Sequence, residues 1–126
     1  MPTKCILVID NEPSIQEVTQ ICLETVAGWD VLTASSGREG IEKAGHALPD
    51  AILLDVMMPD MDGLTTFQHL QADPAIRSIP VILLTAKLQA IDRRHYETLG
   101  LKAAIAKPFD PLQLASQIAT ILDWPI

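Results

Sequence analysis

Aromatic side chains are scarce. Two Phe, two Trp and one Tyr serve a chain of 126 residues in which 48% are hydrophobic, so the core must be aliphatic. Cysteine is nearly missing too. Cys5 and Cys22 have neither metal-ligand nor redox spacing, which reads as two buried thiols of a cytoplasmic protein. No window approaches the ~20 uninterrupted apolar residues of a membrane helix. The start, "MPTKCILVID", carries one Lys and a short apolar run, too little for a signal peptide. Bases are outnumbered: 9 Lys and Arg face 16 Asp and Glu, and the net charge of −7 argues against non-specific nucleic-acid binding. With no internal repeat, low-complexity tract or linker, residues 1–126 are expected to form one domain.

The acids that are present are unevenly placed. Residues 1–62 hold 11 acids and 3 bases, while residues 63–126 hold 5 acids and 6 bases. Between the charges, short apolar runs alternate with helical patterns. Cys5–Ile9, Ala51–Leu54, Val81–Leu84 and Ala103–Ala106 are apolar throughout, as in strands covered on both faces. Asp30–Ala34 is more mixed and is expected at a sheet edge. Helices are expected over Ser14–Val26, with Ile15, Val18, Cys22 and Val26 on its apolar stripe, then over Gly37–His46 and Leu64–Ala72. A fourth is expected over Leu88–Leu99, stopped by Gly100, and a fifth opens at Asp110-Pro111 with Asp110 as N-cap. The order is (βα)₅, an α/β fold with a parallel sheet, right-handed crossovers and helices on both faces.

In such sheets, sites form beyond the carboxyl ends of the strands. There the sequence places Asp10, Asn11 and Glu12 after the first strand, Asp55 after the third, Thr85 at the end of the fourth and Lys107 after the fifth. Singly, each has an ordinary explanation. An Asp or Asn after a strand is most often a turn or cap residue, Thr is a good strand former, and most lysines are solvated. Asp55 is harder to explain away, because "ILLDVMMPDMDG" sets its carboxylate directly after Ile52-Leu53-Leu54, and a buried charge is costly unless paired or used. Together these groups suit phosphoryl transfer to a carboxylate. Such a transfer asks for positioning and for charge neutralisation by an oxygen-ligated cation, an ammonium and a hydroxyl.

The stretches "ILVIDNEPSI", "PDAILLDVMMPDMDG", "IPVILLTA" and "AAIAKPF" resemble, in order and spacing, the receiver domain of two-component response regulators, of the single-domain chemotaxis type. The resemblance spans essentially the whole chain. It implies a flavodoxin-like, doubly wound fold of strand order 2-1-3-4-5. It makes Asp55 the phosphoacceptor for a histidine kinase or phosphotransfer protein, with Thr85 and Lys107 binding the phosphoryl group and a cis Lys107–Pro108 peptide. Mg²⁺ would be held by Asp10, Asn11, Asp55 and the Met57 backbone carbonyl. An output protein would meet the face of the fourth helix, fifth strand and fifth helix, with neither nucleic acid nor membrane as partner.

Two positions depart from the family pattern. Its second acid after the first strand is Asn11 here, which is expected to weaken Mg²⁺ binding. Its aromatic residue three positions before the Lys is Ala104 here. Both leave room for an alternative, a receiver-like binding module that works without phosphorylation. Enzyme readings carry little weight: "DNEPSI" is no flavodoxin phosphate loop, Met57 stands where an aspartyl phosphatase would want a second Asp, and no P-loop occurs.

Overall fold

Each strand forms where the sequence predicts it, one from the mixed stretch and the others from apolar runs. In a computed structural model of the chain, which describes residues 3–56, 61–85, 98 and 100–124, the strands are β1 (Cys5–Ile9), β2 (Asp30–Ala34), β3 (Ala51–Asp55), β4 (Val81–Thr85) and β5 (Ala103–Ala106). Two of them, β3 and β4, are one residue longer than their apolar runs. All pairings are parallel, and the order is β2-β1-β3-β4-β5. This is the flavodoxin-like arrangement expected, with the mixed strand β2 at one edge. Alternate side chains feed two cores. Ile6, Val8, Leu53, Ile82, Leu84 and Ile105 point to one, and Leu7, Ile9, Ile52, Leu54 and Leu83 to the other. The first is covered by α1 (Pro13–Cys22) and the C-terminal helix (Leu114–Leu122), the second by α2 (Gly37–Ala47) and α3 (Gly63–Ala72). Among the described residues only Trp29 and Phe67 add buried aromatic rings to this aliphatic interior.

The first helix differs from expectation. After Cys22 it widens into a π-helical turn, Leu23–Ala27, which ends at Gly28 with φ 71°. Val18 and Val26 are exposed, and the buried positions are Thr19, Cys22 and Leu23. Spacings of three and four residues fit either Val18 or Thr19. Hydropathy favours the valine, whereas packing selects the threonine, and the extra residue in the π turn carries Val26 outward.

The C-terminal helix also starts later than its sequence suggests. Asp110 accepts a hydrogen bond at Oδ1 from Leu112 N at 2.9 Å, and so caps the turn that precedes the helix; the N-cap proper is Gln113. Cys5 and Cys22 are both free thiols, the first half-buried and the second buried. The helix expected over Leu88–Leu99 lies outside the described residues, apart from Thr98. Gly100 beyond it has φ 98°, the backbone state expected of a glycine stop.

Register is what builds the site. Ile9 pairs with Ala34 on one side and Leu54 on the other, so the next residues of β1 and β3, Asp10 and Asp55, emerge side by side. Asp55 pairs with Leu84, and Thr85 with Ala106, which brings Thr85 and Lys107 to the same edge.

Candidate functional site

Asp10 is the most constrained member of the site and is fully buried. Its backbone N–H donates to Ala34 O at 3.0 Å, continuing the β1–β2 ladder by one residue. Gln16, one turn into α1, donates its amide to the Asp10 carbonyl and to Ser35 Oγ, the latter at 3.0 Å. The Asp10 carboxylate is pinned at both oxygens: Oδ1 accepts from Glu12 N at 2.9 Å, and Oδ2 accepts from Lys107 Nζ at 2.7 Å.

Asp55 is 3% exposed at the end of β3, where the chain must turn at once into the loop that leads to α3. Val56 N donates to Leu84 O at 3.2 Å, and Gly63 N returns to Val56 O at 2.8 Å. That return is why position 63 is glycine. A Cβ there would stand 2.5 Å from the Asp55 carbonyl oxygen and 2.7 Å from Val56 Cα, both backbone atoms that cannot yield. Asp62 caps α3 by accepting from Thr65 N at 2.7 Å, which fixes the approach of the helix to the strand end.

Lys107 completes the cluster from the far side of the sheet. Its backbone N donates to Thr85 O at 2.8 Å, and the Lys107–Pro108 peptide is cis, as the resemblance implies. Its ammonium lies 2.7 Å from Asp10 Oδ2, 3.3 Å from Asp55 Oδ1 and 3.7 Å from Glu12 Oε1. Burial alone would lower the pKa of this ammonium. The hydrogen bond to Asp10 and the charges of Asp10 and Asp55 outweigh it, and the pKa is raised above the usual 10.5. Thr85 is buried beside them at the end of β4.

The structure therefore brings together Asp10, Asp55, Thr85 and Lys107 at one strand edge. Asn11 follows Asp10 there and is half-buried. Met57 lies outside the described residues. Glu12 is an addition to the ligand set expected from sequence. Its carboxylate joins those of Asp10 and Asp55 in a group whose ligand atoms all lie within 4.8 Å of one another. The signal was in the chain: an acid two residues after Asp10, directly before Pro13. Three carboxylates against one ammonium leave the cluster with an excess of two negative charges. An oxygen-only, anionic donor set of this kind fits a hard divalent cation such as Mg²⁺.

A family model for the response regulator receiver domain matches residues 6–119. The chain belongs to that family. Among curated relatives of the receiver chain, the alkaline phosphatase synthesis transcriptional regulatory protein PhoP of Bacillus subtilis is 39% identical over 119 residues, covering 94% of this chain and 48% of its own length. The DNA-binding dual master transcriptional regulator RpaA of Synechocystis is 38% identical over 117 residues, 93% of this chain and 48% of that protein. The receiver chain thus spans about half the length of these relatives. Among solved structures, chemotaxis protein CheY4 of Vibrio cholerae superposes with a TM-score of 0.87 at 28% identity, covering 95% of this chain and 99% of that one. The N-terminal domain of a response regulator receiver protein from Methanoculleus marisnigri is 37% identical with a TM-score of 0.76, covering 96% and 98%. No helix among the described residues is long and apolar enough to cross a membrane.

Proposed function

We propose that Asp55 accepts a phosphoryl group from the phosphohistidine of a histidine kinase or phosphotransfer protein, and that the receiver signals in the cytoplasm through protein–protein contacts. It does not turn over a substrate of its own. One observation carries this reading: the largely enclosed ammonium of Lys107, with a side chain 11% exposed, seated 3.3 Å from Asp55 and 2.7 Å from Asp10. In the transfer, an Asp55 carboxylate oxygen forms a bond to phosphorus while the phosphorus–nitrogen bond breaks, and the departing imidazole keeps the electron pair. Lys107 follows the negative charge from the carboxylate onto the phosphoryl oxygens, and the Thr85 hydroxyl donates to another of them. Asp10, Asn11, Asp55 and the Met57 carbonyl would hold Mg²⁺, which when bound neutralises charge on those oxygens. The rest of the catalysis is positioning, supplied by strand ends in fixed register.

The test is intact-mass analysis after incubation with a small phosphodonor and Mg²⁺. Wild type should gain one phosphoryl group and Asp55→Asn none; equal gain in both would overturn the assignment. Ala104 favours the second reading, a binding module indifferent to phosphorylation, because no ring stands on β5 to relay the state of Thr85. A wild type that takes up no phosphoryl group yet binds its output partner would establish that reading instead.

A further inference from the structure

Asn11 removes a charge from the place where the family keeps its second acid, and the structure shows where a charge returns. Glu12 is the N-cap residue of α1, with extended backbone at φ −94° and ψ 110°, yet its side chain makes no hydrogen bond to the helix it precedes. Pro13 occupies the first helical position, where the capping side chain has one N–H fewer to satisfy. The Glu12 N–H donates to Asp10 Oδ1 at 2.9 Å, a tight turn that folds residue 12 back over the Asp10 carboxylate. Its own carboxylate then reaches the site instead of the helix. The Lys107 ammonium marks the focus, since one cation touches Asp10, Asp55 and Glu12 together.

We infer that Glu12 is a carboxylate ligand of the divalent cation, supplying the charge that Asn11 does not. The inference rests on the Mg²⁺ site proposed above. Opposite oxygens around Mg²⁺ are about 4.2 Å apart, since each lies about 2.1 Å from the ion. The carboxylate oxygens now span up to 4.8 Å, and the Glu12 side chain, 56% exposed, has the freedom to close that difference. Glu12 is also the weakest of the three partners of Lys107, at 3.7 Å. Moving it onto a cation leaves the Lys107 contacts to Asp10 and Asp55 intact.

Calorimetric titration of Mg²⁺ into the unphosphorylated protein tests this without any turnover. Glu12→Gln should weaken binding by about 10-fold or more, equivalent to about 1.4 kcal/mol or more. Glu12→Asp keeps the charge but shortens the reach by one methylene, and it should weaken binding nearly as much. In the Glu12→Gln background, Asn11→Asp should bring affinity back to near the wild-type value, because the acid then stands one residue earlier. Wild-type affinity in Glu12→Gln, or in Glu12→Asp, would overturn the inference, the latter by showing that only charge at a distance matters. Asp55→Asn separates the two levels. If it weakens Mg²⁺ binding while both Glu12 variants do not, the site stands and Glu12 is no ligand. If none of these variants changes binding, the site itself is wrong.

Discussion

Asp10 and Asp55 illustrate how a buried charge is tolerated at the scale of a single residue. Each is desolvated, and each meets the same ammonium at 2.7 or 3.3 Å, so neither is an isolated ion in the interior. Gly63 decides the arrangement as firmly as the charges do, because α3 can reach the end of β3 only where no Cβ intervenes. Gly63→Ala should therefore lower stability by about 1–3 kcal/mol, the usual range for forcing extra volume into a packed site. A fall in the urea midpoint with an unchanged m-value would register it. Phosphorylation of Asp55 should slow as well, since the obstructed atom is the Asp55 carbonyl. Stability equal to wild type would show that the turn has slack the geometry denies. The glycine was plain in "PDMDG"; its reason was not, because the clash is with a strand eight residues earlier.

The elements show where periodicity is a sufficient guide and where it is not. Four strands fell where apolar runs placed them and β2 where the mixed run did. β1, β3 and β4 are buried almost throughout, which leaves little choice of composition, whereas β2 and β5 lie at the sheet edges and are partly exposed. Helix faces were less certain. Val18 against Thr19 was settled by packing, and the π turn after Cys22 has no sequence signature. Caps divided in the same way. Ser36 caps α2 by accepting from Glu39 N at 3.1 Å, an ordinary Ser-x-x-Glu start. The other end of α2 is capped by Leu48 in the left-handed region, at φ 48° and ψ 61°, with a side chain 59% exposed. A branched residue there bears a strain of about 1–2 kcal/mol that glycine does not, offset by the greater freedom of glycine when unfolded. Leu48→Gly should raise stability by about 0.5–1 kcal/mol. Thermal or urea unfolding is the measurement, and a loss of stability would show that Leu48 makes contacts worth more than the strain.

For the whole molecule, the acidic half and the acidic site coincide. Asp10, Glu12 and Asp55 all lie in the first 62 residues, which carry 11 of the 16 acids. Across the sheet, β5 offers the opposite character. Ala104, Ile105 and Ala106 border an open groove of about 580 Å³ with Ser116, Thr120 and Ile121 of the C-terminal helix. Ala104 leaves space in this region, and β5 carries no aromatic ring to swing with Thr85. Phosphorylation is expected to change the affinity for an output partner only several-fold, below the ~1–3 kcal/mol common for coupled sites. Titrating the partner against phosphorylated and unphosphorylated receiver measures this directly. A hundredfold change would mean that the signal travels by another route. Arg93 and Arg94, which the chain carries within the expected fourth helix, lie outside the described residues.

Composition and order alone determined the aliphatic core, the (βα)₅ alternation, the edge position of β2 and the identity of Asp10, Asp55, Thr85 and Lys107 as a set. These follow from local rules: apolar runs make buried strands, and short crossovers make them parallel. Tertiary structure alone decided that Ile9 and Leu54 share a register, and hence that Asp10 and Asp55 stand side by side. It also decided that Gly63 faces backbone, that Thr19 rather than Val18 is buried, and that Glu12 turns toward Lys107 instead of capping its helix. Each of those depends on atoms distant in the chain, and local periodicity carries no record of which distant atom will arrive.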